Sequence, residues 1–212
     1  MTLFSVILIL MGSMSIGIGI SGIIAVRRAR CALRRFRRLP VSTAQDIMAA
    51  SIGAEAVIEG VISALNPAQL HTLVVYADQI NESESTFSGG NGRELKTSPL
   101  LLETPDGVVQ IANSGYALVR PLVCWEQLQS SRSKRYVGFV PGNQVTVLGR
   151  IVDNGAGRAI EAGFLFGGAP ADYPVYQRGI IIDGWIRTFV GGIGGLLLLF
   201  LGVGMFLFPL PE

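Results

Sequence analysis

The sequence predicts a mainly β domain, a small OB-like barrel or a sandwich, set between two transmembrane α-helices. Three observations predict it. Leu3–Val26 and Phe189–Phe208 are long runs without a charge. Seven arginines crowd into Arg27–Arg38, directly after the first run. Between the runs, short β-branched stretches alternate with turn signals. The composition agrees: 50% of the 212 residues are hydrophobic and 15% charged, against about 25% charged in a soluble domain.

The first helix is assigned to residues 1–26. At about 1.5 Å per residue, an apolar run of this length crosses a hydrocarbon core of about 30 Å with some tilt. A cleaved signal peptide would carry its positive charge before the apolar run; here it follows. Ser13, Gly17, Ser21 and Ala25 recur every four residues and offer a flat face for another helix.

Residues 27–40 form a basic collar. Arg27, Arg28, Arg30, Arg34, Arg35, Arg37 and Arg38 orient the first helix with its N-terminus outside. The same side chains also suit anionic lipid head groups. Their helical spacing continues the helix into the collar, where Leu33 and Phe36 are expected to dip toward the membrane interface. Seven of the 17 lysines and arginines lie here, and no acidic residue precedes Asp46, so the remaining ten basic residues face 15 acidic ones. A mildly acidic body behind a basic collar excludes a general nucleic-acid binder, which spreads basic charge over its folded domain.

Residues 41–178 are assigned to the β domain. Pro40 ends the helix, and Ser42 with Gln45 reads as a capping box for a short helix over Thr43–Ser51. Strands are predicted over Ala56–Leu65, His71–Ile80, Leu100–Leu102, Val108–Ile111, Tyr116–Trp125, Val145–Val152, Ala159–Ala162 and Phe164–Phe166. Thr104-Pro105-Asp106-Gly107 is a hairpin signal. Glu82–Lys96, with Gly89-Gly90-Asn91-Gly92, reads as a loop, and Ser130–Lys134 as a charged turn. Gly60 and Gly149 sit inside strands and mark bulges or bends, as barrel corners require.

The second helix is assigned to residues 189–208. Ile180–Arg187 precedes it at the interface, with Trp185 at that depth and Asp183 and Arg187 one turn apart. Gly191 and Gly195 make a GxxxG. The two helices are expected to pack through Ser13, Gly17 and Ser21 against Gly191 and Gly195, and glycine-rich helices of this kind also offer a route to oligomers. Basic flanks on both helices place the domain on the cytoplasmic side of a bacterial-type inner membrane, or at an organelle membrane if the chain is eukaryotic.

No catalytic, cofactor or metal site is predicted. His71 is the only histidine and reads as a surface or edge residue. Cys31 and Cys124 read as unpaired thiols, Cys124 as a buried packing residue. A tetrahedral zinc site cannot be assembled from them. Glycine-rich Gly89–Gly92 lacks the Lys-Ser/Thr that a phosphate loop needs. Glu82 and Glu84 are the weak cation candidates of a solvated loop. Expected partners are the lipid bilayer and a protein bound through the β domain, with no nucleic acid.

The chain resembles the GIDE-type, or beside-a-membrane, domain proteins. Ile58-Glu59-Gly60-Val61-Ile62 with Leu73-Val74-Val75-Tyr76 is similar to the domain's opening strands. Ser98-Pro99-Leu100-Leu101-Leu102-Glu103 with Asp106-Gly107-Val108-Val109 resembles its central segment. Val140-Pro141-Gly142-Asn143-Gln144-Val145-Thr146-Val147-Leu148-Gly149 resembles a later turn and strand. The resemblance implies a binding and anchoring domain between two membrane helices. Ligase activity in eukaryotic members belongs to a RING finger after the second helix; no such Cys/His array stands in this sequence, so that activity is not implied.

Overall fold

The computed structural model describes residues 2–79, 95–97, 99–129, 132–155 and 157–207. The predicted glycine tip at Gly89–Gly92, Glu82 and Glu84, and Phe208 lie outside these. The chain divides into two units: Phe36–Tyr173, and a helical unit of Met1–Arg35 with Pro174–Glu212.

Five strands of the first unit close into a barrel, not a sandwich. β2 (Glu55–Ile62) pairs with β5 (Leu100–Thr104), β5 with β6 (Gly107–Ile111), β6 with β11 (Arg158–Gly167), β11 with β10 (Gln144–Asp153), and β10 returns to β2. Only the β6–β11 contact in this ring is parallel. That order is compatible with the OB-like form, a five-stranded Greek-key barrel. The barrel interior holds Ile58, Ile62, Leu102, Ile111, Val147, Ile160 and Leu165, all under 2% exposed. Alternation along each strand turns these residues inward.

Two further strands extend the barrel sheet: β1 (Val41–Ser42) runs parallel to β2, and β7 (Ala117–Val119) runs parallel to β11. A second sheet has the order β4 (Leu95–Thr97), β3 (Val75–Gln79), β9 (Arg132–Phe139), β8 (Val123–Gln129). It is built from the connections between barrel strands. Several predicted elements change accordingly. Leu95 and Lys96 belong to a strand, not a loop, and β9 begins inside the predicted charged turn. Tyr116–Trp125 is two strands, because Arg120 adopts φ +50° and Pro121 follows it. Ala159–Ala162 and Phe164–Phe166 join into one strand that Gly163 does not break. The helix after Pro40 is α2 (Ala44–Ala49), and its capping box uses Thr43 and Asp46, not Ser42 and Gln45. Thr43 has the extended backbone that an N-cap requires.

In the helical unit, α1 (Thr2–Arg38) is unbroken through the collar, and α3 (Asp172–Leu207) starts before the predicted end of the β domain. Both helices are long and apolar enough to cross a membrane. They pack antiparallel through glycines. A Cβ on Gly12 would lie 2.8 Å from the Gly195 carbonyl oxygen, one on Gly19 would lie 2.8 Å from the Gly192 nitrogen, and one on Gly22 would strike the Gly184 carbonyl oxygen. Thr188 Oγ1 donates to the Gly184 carbonyl within its own helix at 2.8 Å. Gly191 and Gly195 thus meet α1, but through a different α1 face from the one expected. Gly17 has open space, and the Ser13 and Ser21 hydroxyls donate to carbonyls of their own helix. The face in use buries Ser5, Gly12, Gly19 and Val26, a seven-residue repeat.

Candidate functional site

The candidate site is a cleft in the outer wall of the barrel, and it exists because β2 changes partner. Along one edge, β1 pairs with Val57 and Ile58. β5 takes over at Val61 and Ile62. Glu59 and Gly60 lie between these two pairings, while β10 runs continuously along the opposite edge. The interruption opens a cleft of about 660 Å³, lined by Val41–Thr43, Glu59–Val61, Glu103–Asp106 and Gln144. Gly60 is needed there: a Cβ would lie 2.9 Å from the Glu103 carbonyl oxygen.

Glu59, Val61 and Glu103 share the outward side. Glu59 and Val61 are two apart on one strand, and Val61 is the cross-strand partner of Glu103. Glu59 is half-buried and accepts a 2.6 Å hydrogen bond from Gln144 Nε2. Glu103 is exposed. Among the described residues neither carboxylate has a cationic partner, whereas Asp172, Glu126 and Asp183 are each paired with an arginine. The cleft therefore offers two negative charges on a floor of aliphatic and small side chains.

A third carboxylate, Asp106, is already engaged. It accepts from the Ala44 and Gln45 backbone N–H groups at 3.1 and 3.0 Å and from Thr104 Oγ1 at 2.9 Å. The Gln45 N–H, helped by the Ala44 N–H and the Thr104 hydroxyl, holds the Asp106 carboxyl well below the usual carboxylate range. Asp106 thus ties the β5–β6 hairpin to the start of α2. Because the folded-state value is depressed, this contribution to stability is complete above the unfolded value of about 4 and is lost as pH falls below it. Asp106→Asn is expected to melt at a lower temperature than the parent chain at pH 7. The gap should narrow below pH ~4. A pH series of thermal melts on both chains checks this; a gap of constant size would contradict it.

A second cluster lies on the other sheet. Trp125 and Tyr136 are cross-strand partners, with ring centroids 6.0 Å apart. Tyr76 meets Tyr136 edge-on at 5.7 Å, and His71 lies over Trp125 at 3.8 Å. His71 adopts φ +51° to do so. Sequence reading placed His71 at the surface, where it is, but did not group it with these rings. Cys124 is exposed, not buried; its Sγ accepts from Arg135 Nε at 2.8 Å. Cys31 is also exposed and unpaired.

The collar arginines are exposed along α1. Leu33 and Phe36 are buried instead of lying at a lipid interface, and Phe36 packs on Tyr173 at 4.5 Å. Trp185 lies under Arg30, whose guanidinium carbon is 5.7 Å from the ring centroid, and Arg187 pairs with Asp183 at 2.8 Å. Among the described residues no three His, Cys, Asp or Glu side chains come together to hold a metal ion. Neither a family model, nor a curated protein, nor a solved structure matches the chain.

Proposed function

We propose that the chain is a two-pass membrane protein whose barrel domain is a binding module held at the membrane surface. Two long apolar helices packed through glycines support the membrane part. Basic flanks on both helices support a barrel on the cytoplasmic side, with the termini opposite. The GIDE-type resemblance belongs to the same proposal, since the region it covers serves binding and anchoring.

The single observation that carries the binding role is the cleft at the β2 interruption, with Glu59 and Glu103 free of cationic partners. Its partner is a protein segment that places a lysine or arginine between these carboxylates and rests its aliphatic stem on Val41, Val61 and Pro105. The test is capture of proteins from gently solubilised membranes by the full chain and by Glu59→Lys/Glu103→Lys. Glu103 is exposed and Glu59 half-buried on the outward side of the barrel, so the variant should keep the parent's circular dichroism, with a small drop in melting temperature for the lost Gln144 hydrogen bond. It is expected to lose the domain-dependent partner, at roughly 10-fold or more in affinity for two reversed charges. Capture of the same proteins in the same amounts by both chains would end this reading.

A further inference from the structure

The cleft makes no use of the arginine collar. On α1, at about 100° per residue, buried Val26, Ala29, Leu33 and Phe36 define one side. All seven collar arginines then fall within about half the circumference, on the opposite side. Among the described residues, Arg27, Arg28, Arg34, Arg37 and Arg38 form no ion pair. The collar contains no lysine, although lysine snorkels and orients a helix as well as arginine does. Guanidinium differs from ammonium in its fork of donors, which meets a phosphate through two bonds at once.

Height separates the arginines into two groups, given the membrane reading above, on which this inference rests. With Val26 at the edge of the hydrocarbon, Arg27–Arg30 emerge within about 6 Å, the depth of the head-group layer. They suffice for orientation. Arg34 lies about 12 Å above that edge, and Arg37 and Arg38 about 16–18 Å. The N-terminus of α1 is the membrane end, so its side chains lean back toward the bilayer by about one turn, ~5 Å. That lowers Arg34 to the top of the head-group layer and leaves Arg37 and Arg38 above it. They remain within about one screening length, ~8 Å, of the surface. Head groups with a single phosphate in the plane of the layer do not reach them.

We propose that the exposed arginine face of α1 binds a lipid head group that carries several phosphates and projects above the bilayer surface. Arg27 and Arg28 meet its diester, and Arg34, Arg37 and Arg38 meet its outer phosphates.

The test places the full chain in bilayer discs of zwitterionic lipid. The probe is phosphatidylinositol bisphosphate with a fluorescent acyl chain, read by energy transfer from tryptophan. Phosphatidylserine and diphosphatidylglycerol at matched total charge are the in-plane comparisons. The bisphosphate lipid should be enriched about tenfold over both. Each basic side chain at an anionic surface is worth about fivefold, so Arg34→Gln/Arg37→Gln/Arg38→Gln should weaken retention roughly 100-fold. The triple lysine variant keeps the charge and should lose the preference for the projecting head group. Equal enrichment at matched charge, or an unchanged glutamine variant, would overturn the proposal. A chain that alkaline carbonate strips from the bilayer overturns the membrane reading as well; a chain that stays inserted without preference overturns this inference alone.

Discussion

Gly149→Val is expected to destabilise the barrel by ~3 kcal/mol or more, a large share of a domain stability of about 5–15 kcal/mol. Gly149 sits on β10, between β2 and β11, where the β10–β11 register shifts. Leu148 faces Phe164 while Gly149 faces Ala162, so Gly163 is the extra residue of a bulge. The backbone of β11 closes on Gly149 there. A Cβ would strike the Glu161 carbonyl oxygen, with Ile160 Cγ2 at 2.5 Å and Ala162 Cα at 2.9 Å. Two of these are backbone atoms of a paired strand and cannot turn aside. Gly163 is the control within the same bulge: it is exposed, and a Cβ there meets only the Leu148 carbonyl oxygen, at 3.5 Å. Gly163→Ala should change stability by less than about 1 kcal/mol. Thermal melts of both variants as full chains in detergent, followed by tryptophan fluorescence, check the pair. Equal melting temperatures would show that the bulge tolerates what its geometry forbids.

Gly149 also marks how far the sequence can be read. A glycine between branched residues inside a strand has few purposes, and both such positions serve close backbone approach: Gly149 at the bulge, Gly60 at the arrival of β5. The Thr104–Gly107 hairpin was legible for the same reason, because its signal is local. What the sequence did not show depends on partners distant in the chain. The cleft arises from β2 exchanging β1 for β5, whose partner residues lie 40 and 42 positions further on, and Glu59 and Glu103 carry no mark of meeting there. His71, Trp125 and Tyr136 come together only once β8 and β9 pair. On α1 two signals compete. Ser13, Gly17, Ser21 and Ala25 form a four-residue repeat, which drifts around a long helix. The seven-residue repeat Ser5, Gly12, Gly19 and Val26 stays on one face over its whole length, and that face is buried.

Tyr173→Ala is expected to cost ~3–5 kcal/mol, the usual range for truncating a buried aromatic. Tyr173 is 2% exposed, on the first turn of α3. Its ring stacks on Phe164 at 5.0 Å, meets Phe166 edge-on at 5.3 Å and lies 4.5 Å from Phe36. Three such contacts add about 0.5–1.5 kcal/mol each beyond the area they bury. Nearby, Arg120 lies over the Phe166 ring at 5.8 Å and approaches Asp172 at 3.7 Å, but both charged side chains are half-exposed, so that ion pair adds little. The aromatic box joins the last residues of α1 and the first turn of α3 to β11. Tyr173→Phe keeps all three ring contacts and should lose less than about 1.5 kcal/mol. The alanine variant should melt roughly 10 °C lower than the parent. If it melts with the parent, other contacts hold these helix ends to β11, and burial of this ring is incidental. If alanine and phenylalanine fall equally, the hydroxyl carries the stability and the ring stacking does not.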